Sequence, residues 1–333
     1  MSDAAQPLLN VRDLVVTFGH GPNKVSAVAG VSFEVFEGET LGLVGESGCG
    51  KSTTAKALMR IIEPSSGVVQ LEGVDVTTLR GGALRRARTR MQMIFQDPIS
   101  SLNPRRRIKD IVAEPLDCWH SVEGVERDAL VADLLNKVGI DPAVYGNRFA
   151  RQFSGGQCQR ISIARALAMR PKLLICDEMV SALDVSIQAQ ILNLLEDLKS
   201  QYGLTLLFIA HDRAVVKNVS DRVAVMYLGK ICELGPADAL YEAPAHPYTK
   251  FLLSAALEAD PELAQHGDVL EGEPPSPIKP PSGCRFRTRC PWATQKCADQ
   301  EPLPHEVAPG HQVACHYPLT PQRKEPVPGS DGT

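Results

Sequence analysis

The sequence has no apolar run approaching the roughly 20 residues that a membrane-spanning helix needs, so any role at a membrane must come through partners. Its first residues, MSDAAQPLLN, show no charged region followed by an apolar core, so no secretory signal peptide is expected and the chain is placed in the cytosol. Net charge is small, formally −4, which gives no overall attraction to nucleic acid or anionic lipid. The basic clusters Arg85, Arg86, Arg88, Arg90 and Arg105, Arg106, Arg107 read as solvated faces beside helices. There is no internal repeat, no sustained heptad pattern and no zinc-ribbon C-x-x-C pair. What remains is an ordinary globular composition, 44% hydrophobic and 22% charged over 333 residues, enough for one large core and an appended smaller unit.

The first forty residues read as β-structure, with Val31, Phe33 and Val35 alternating on one face. Thr40 to Val44 is a short apolar strand that runs into a glycine-rich turn. Beyond the turn, Ala55, Leu58, Met59 and Ile62 fall at helical spacing, which predicts a helix burying one face. Leu130, Leu134, Leu135 and Val138 mark another amphipathic stretch inside a mostly helical region. Two apolar strands follow, Leu173 to Cys176 and Leu206 to Ile209. Between them Ile187, Ile191, Leu194, Leu195 and Leu198 line one side of a long helix. Strands alternating with helices predict an α/β fold with a mostly parallel sheet. Glu273 to Gly283 is too rich in proline for helix or strand and reads as a linker.

Three segments carry chemistry. Gly45-Glu46-Ser47-Gly48-Cys49-Gly50-Lys51-Ser52 fits G-x-x-x-x-G-K-[ST] without a mismatch, between a strand and a helix. Such a loop turns successive backbone N–H groups toward phosphate oxygens, and the helix start adds partial positive charge. Lys51 would neutralise the β- and γ-phosphates, and the Ser52 hydroxyl would ligate Mg²⁺. Asp177 and Glu178 end an apolar strand, where α/β sheets bind ligands. Asp177 would hold Mg²⁺ and Glu178 would polarise the attacking water. Phe153-Ser154-Gly155-Gly156-Gln157 opens a further helix and makes a second phosphate cradle by the same backbone physics.

That last segment resembles the signature sequence of the ABC ATPase family. The resemblance implies a P-loop (RecA-like) ABC ATPase core with an N-terminal antiparallel β-subdomain, a helical insertion and a small Cys-containing C-terminal extension. It implies a dimer, in which Ser154, Gly155, Gly156 and Gln157 close over the partner's ATP. Its remaining motifs occur in order: Gln96 resembles the Q-loop glutamine that touches Mg²⁺ and the attacking water, Asp184 lies in a D-loop-like Ser181–Asp184, and His211 resembles the switch histidine. Phe18 matches the aromatic that stacks on adenine. With Thr53, the residues Gly45, Ser47, Gly48, Cys49, Gly50, Lys51 and Ser52 complete the ATP-binding set. The expected divisions are a nucleotide-binding domain at 1–258, with a helical subdomain at about 97–165, a C-terminal region at 259–320 and a disordered tail at 321–333.

QDPISSLNPR, DEMVSALDVSIQAQILNLL and AHPYTKFLLSA are similar to the ATPase subunits of dipeptide and oligopeptide importers, and GCRFRTRCPWATQKC with VACH extends the match. The sequence departs from that pattern at Met179 and Arg213, neither of which supplies a phosphate or metal ligand. The resemblance implies ATP hydrolysis driving solute uptake at the cytoplasmic face of a membrane. Its partners would be a second, non-identical ATPase, two transmembrane permease subunits and, indirectly, an extracytoplasmic substrate-binding protein, with no nucleic acid. A soluble ABC ATPase with a regulatory or translation- or DNA-linked role is the alternative. Cys284, Cys290, Cys297 and Cys315, spaced C-x5-C-x6-C-x17-C, leave a [4Fe–4S] cluster, Zn²⁺ or free thiols open, the cluster being implied by relatives of the importer family.

Overall fold

The computed structural model describes residues 6–19, 21, 24–120, 124–257, 273 and 275–319. The tail expected at 321–333 lies outside the described residues. The chain begins with β1 (Leu9–Phe18), β2 (Val25–Val35), β3 (Thr40–Val44), α1 (Lys51–Leu58), β4 (Ser66–Leu71) and β5 (Val74–Asp75). It continues through α2 (Gly81–Arg90), β6 (Met91–Ile94), α3 (Ile108–Trp119), α4 (Gly124–Lys137), α5 (Pro142–Tyr145) and α6 (Gly155–Leu167). Then come β7 (Leu173–Asp177), α7 (Val185–Tyr202), β8 (Thr205–Ile209), α8 (Arg213–Val219), β9 (Arg222–Tyr227) and β10 (Lys230–Pro236). The last elements are α9 (Ala237–Glu242), α10 (Pro247–Leu257), α11 (Gln295–Asp299), β11 (His305–Ala308) and β12 (His311–Val313). Among the described residues no helix is long and apolar enough to cross a membrane.

The chain divides into two compact units. The first comprises Met1–Leu9, Glu34–Thr40 and Gln70–Ala210. In it β7 is flanked by β6 and β8, all parallel, with Met91 opposite Leu173 and Leu173 opposite Thr205. Every residue of β7 and of β8 is buried, which is why both read as unbroken apolar runs. The helices α3, α4 and α6 pack on one another, and Ile111, Val112, Leu116, Leu134, Leu135, Ile161 and Ile163 on them are buried. By contrast α2 buries no residue: Arg85 and Arg86 are exposed, while Arg88 and Arg90 are half-buried and Arg90 donates to Glu72 through Nε at 2.9 Å and Nη2 at 2.7 Å.

The second unit comprises Asn10–Phe33, Leu41–Val69 and His211–Thr333. Here β3 runs parallel to β9, with Leu43 opposite Ala224. The strands then continue antiparallel, β9 to β10, β10 to β12 and β12 to β11. In the C-terminal extension β12 adds to the open edge of β10, where unpaired backbone groups offer a ladder. β1 lies between β2 and β4, and β2 buries Val31, Phe33 and Val35 as their alternation predicts.

The helix after the glycine loop is shorter than its apolar spacing suggested. It ends at Leu58, with Met59 as C-cap and Ile62 outside it. Arg60 takes a left-handed φ of 51°, and the N–H groups of Ile61 and Ile62 both turn back to the Lys56 carbonyl. Pro64 follows and could not have continued the helix.

Candidate phosphate-binding site

In the second unit the loop from Gly45 to Gly50 joins β3 to α1, so the first turn of α1 opens directly from it. Gly50 has φ of 113°, and a Cβ there would lie 2.3 Å from the Ala27 carbonyl oxygen, so only glycine lets β2 approach this closely. The loop is tied down from several sides. The Gly229 N–H donates to the Cys49 carbonyl at 2.8 Å, and the Glu46 N–H donates to the Tyr248 hydroxyl at 2.9 Å. Lys51 is buried, its Nζ donating to the carbonyls of Gly45 at 2.8 Å and Glu46 at 3.2 Å. Cys49 packs beside it, and burial raises its thiol pKa against the opposing pull of Lys51. Ser47 and Gly48 are exposed, while Ser52 and Thr53 are half-buried. Phe18 ends β1 with 43% of its surface exposed, so it is not the core residue that a lone phenylalanine usually is. His211 is exposed, just before Asp212, which caps α8 by accepting from the Ala214 and Val215 N–H groups.

The first unit holds the other predicted residues. Gln96 is exposed two residues beyond β6. The segment after it is fastened to α6: the Ser101 and Ser162 hydroxyls lie 3.3 Å apart, and Arg165 Nη1 donates to the Ser101 carbonyl at 2.7 Å. Ser154 is the N-cap of α6 in a capping box, its N–H donating to Gln157 Oε1 at 3.0 Å and its Oγ accepting from the Gln157 N–H at 3.4 Å. A Cβ on Gly156 would come within 2.7 Å of Ile187 Cγ2 in α7, and one on Gly155 within 3.5 Å of Leu183 Cδ2. The structure therefore brings the Ser154–Gln157 segment against the Ser181–Asp184 segment, a pairing the sequence could not display. Asp184 is the N-cap residue of α7. Asp177 and Glu178 are both buried at the end of β7. Glu178 adopts a left-handed φ of 51°, held by its N–H on the Ile209 carbonyl at 2.9 Å and by the Ser181 hydroxyl on its own carbonyl at 2.9 Å.

The four C-terminal cysteines line one small cavity together with His246, Phe286 and Trp292. All four are free thiols, and no group of three or more His, Cys, Asp or Glu among the described residues is arranged to hold a metal ion. The four thiols share one cavity wall, and a metal centre is one of the outcomes their spacing left open. Burial pushes the Cys290 and Cys315 thiols up to about 12 and raises Cys284, which favours neutral thiols.

Sequence reasoning missed a set of residues in the second unit. Arg289 Nη1 donates to Glu46 Oε1 at 3.1 Å and Oε2 at 3.0 Å, and to the Tyr227 hydroxyl at 3.5 Å. Burial opposes the Arg289 charge, but the bonds to Glu46 and Tyr227 outweigh it and raise its pKa. Phe286 is buried among Tyr227, Tyr248 and Phe251, at ring distances of 5.3, 5.4 and 6.2 Å. Nothing in the local sequence signals these contacts.

Comparison with known proteins fits this geometry. Residues 28–181 match the ABC transporter family, and residues 232–297 match the oligopeptide/dipeptide transporter C-terminal region. A probable peptide ABC transporter ATP-binding protein of Sinorhizobium fredii is 54% identical, with 88% of this chain and 82% of the relative covered. The oligopeptide transport ATP-binding protein OppF of Salmonella typhimurium is 52% identical, with 92% of this chain and 95% of the relative covered. Among solved structures, a dimeric ATP-binding cassette in a post-hydrolysis state bound to ADP and Pi aligns with a TM-score of 0.63 at 26% identity, covering 69% of this chain and 98% of that one. CbiO1 from Clostridium perfringens, part of the ABC transporter complex cbiONQ, aligns with a TM-score of 0.65 at 25% identity, covering 78% and 99%. At this identity and coverage the chain belongs to the ATP-binding proteins of ABC transporters, in the group that carries the oligopeptide/dipeptide transporter C-terminal region.

Proposed function

We propose that this chain is the ATP-hydrolysing subunit of an ABC importer for di- or oligopeptides or similar solutes. The observation that carries the reading is that one chain presents two helix-start cradles, one at α1 and one at α6. A single nucleotide needs only one of them, so the second serves a partner's nucleotide. In this reading Gly45, Ser47, Gly48, Cys49, Gly50, Lys51, Ser52 and Thr53 hold the phosphates and Phe18 stacks on the adenine. Glu178 accepts the proton of the attacking water, with His211 and Gln96 orienting the reactants. Ser154, Gly155, Gly156 and Gln157 close over the partner's ATP, and Asp184 crosses the interface.

Ser52, Gln96 and Asp177 would hold Mg²⁺, and a hydroxyl, an amide oxygen and a carboxylate are the hard oxygen donors that suit it. When bound, the ion neutralises charge on the β- and γ-phosphates. The partners are a second ATPase, of non-identical sequence, and two permease subunits at the cytoplasmic face, fed by an extracytoplasmic binding protein. The match to the oligopeptide/dipeptide C-terminal region and the names of the relatives favour this reading over a soluble, non-transport ATPase. The cysteine set retains a place in it: four thiols on one cavity wall are the number a [4Fe–4S] cluster or Zn²⁺ takes, and iron content with the absorption spectrum of anaerobically purified protein measures occupancy.

The test is Glu178→Gln in the assembled transporter. ATP turnover should fall by about 10²- to 10⁴-fold, the range that loss of a general base produces, with MgATP binding retained and peptide uptake stopped. Near-wild-type turnover would remove Glu178 from that role.

A further inference from the structure

The phosphate loop carries a charge of the wrong sign. Glu46 is the second residue of a loop whose purpose is to attract polyphosphate, and a carboxylate so close to it repels the ligand. The C-terminal extension meets that charge. Arg289 stands in a turn closed by its own N–H on the Phe286 carbonyl at 3.0 Å, one residue before Cys290. A single nitrogen, Nη1, spans both Glu46 oxygens, and the side chains are 7% and 25% exposed, so water screens the pair little.

Two further observations separate this contact from ordinary packing. Among the described residues, Arg289 Nε is buried without a hydrogen-bond partner. An unmet buried donor is a cost, and an apolar side chain of similar length would fill the position without it. An arginine kept there in spite of that cost points to a use for its charge. Second, the extension borders the loop again, across a cavity of about 400 Å³ lined on one side by Glu46, Ser47, Gly48 and Cys49 and on the other by Glu273, Pro275, Ser276 and Pro277. The same loop residue is also held through its backbone by Tyr248, whose ring packs on Phe286 at 5.4 Å.

We propose that Arg289 is a positioning residue for ATP binding, through which the C-terminal extension neutralises Glu46 and holds the phosphate loop in its binding shape. The inference rests on the reading of the loop as the ATP site and adds that the extension sets its affinity. Arg289 acts through Glu46 and need not touch the nucleotide.

Calorimetric titration of the full-length chain with MgATP tests it. Arg289→Met should bind about 5- to 10-fold more weakly than wild type, within the usual span of coupling between sites. Arg289→Lys, which still places a cation on the carboxylate, should stay within about twofold. Adding Glu46→Gln to Arg289→Met should bring affinity back to within about twofold of wild type, because the uncompensated charge is gone. In the assembled transporter the KM for ATP should rise by the same factor in Arg289→Met while kcat changes by less than about twofold. Should Arg289→Met fail to fold, Arg289→Gln carries the same comparison. Wild-type affinity in both neutral variants, or a double variant as weak as Arg289→Met alone, would overturn the proposal. If the wild-type chain itself bound no MgATP, the assignment of the ATP site would fail instead.

Discussion

The loop at Gly45–Gly50 and the segment at Ser154–Gln157 use the same physics, backbone N–H groups at a helix start, yet they are built differently. The first is held by its surroundings: Gly229 and Tyr248 bond its backbone, Arg289 its one carboxylate, and β2 crowds Gly50. The second is held by itself, through the reciprocal bonds of Ser154 and Gln157, with both residues exposed. A cradle that binds its own nucleotide is preorganised by tertiary contacts. In the proposed reading the second closes on a partner's nucleotide, which requires it to stay open to solvent. The two cradles should therefore fail in different ways.

The largest effect is expected on the tertiary side. Phe286→Ala removes the ring on which Tyr227, Tyr248 and Phe251 pack and should lower unfolding free energy by about 3–5 kcal/mol. Because Tyr248 also bonds the Glu46 N–H, MgATP affinity should fall with it. Urea unfolding monitored alongside nucleotide titration checks both, and a destabilised protein with unchanged affinity would break the link between ring cluster and loop. On the other side, Gly156→Ala sits at a helix position where alanine is normally favoured by up to about 1 kcal/mol. The Ile187 methyl at 2.7 Å reverses that sign, and overpacking of this kind costs about 1–3 kcal/mol. ATP-dependent dimer formation should drop while MgATP affinity of the single subunit holds. Ile187→Ala in the same chain makes room and should recover stability in urea unfolding.

Much of this architecture was legible in the sequence, and the reason is specific. Strands β7 and β8 are buried on both faces, so their apolar runs stand out, and a phosphate loop between strand and helix has few other readings. The end of α1 was not legible, because a left-handed Arg60 stops the helix while apolar residues continue. Glu46 and Arg289 are 243 residues apart, and no local pattern announces such a pair. The cysteine spacing left a cluster, zinc or free thiols open, and that the four thiols line one cavity depends on the backbone path through Phe286 and the ladder of β12 on β10. Motifs are readable where chemistry fixes neighbours in sequence, and hidden where it recruits them across the fold.

The smallest effect is the most discriminating for the comparison. Ser154 has two uses in this reading: its hydroxyl caps α6, and it faces the partner's nucleotide. Loss of an N-cap costs about 0.5–2 kcal/mol, and the 3.4 Å length of the Ser154 bond puts this cap at the lower end, about 0.5–1 kcal/mol. Ser154→Ala should show that loss in urea unfolding, leave MgATP binding to the single subunit as it is, and reduce ATP turnover of the assembled transporter. Ser154→Asn separates the two uses, since asparagine caps a helix as well as serine but puts a bulkier amide where the small hydroxyl faced the phosphate. Stability should return while turnover stays low. If turnover returned together with stability, the hydroxyl would be a cap and nothing more, and the self-held cradle would owe its function to its backbone alone.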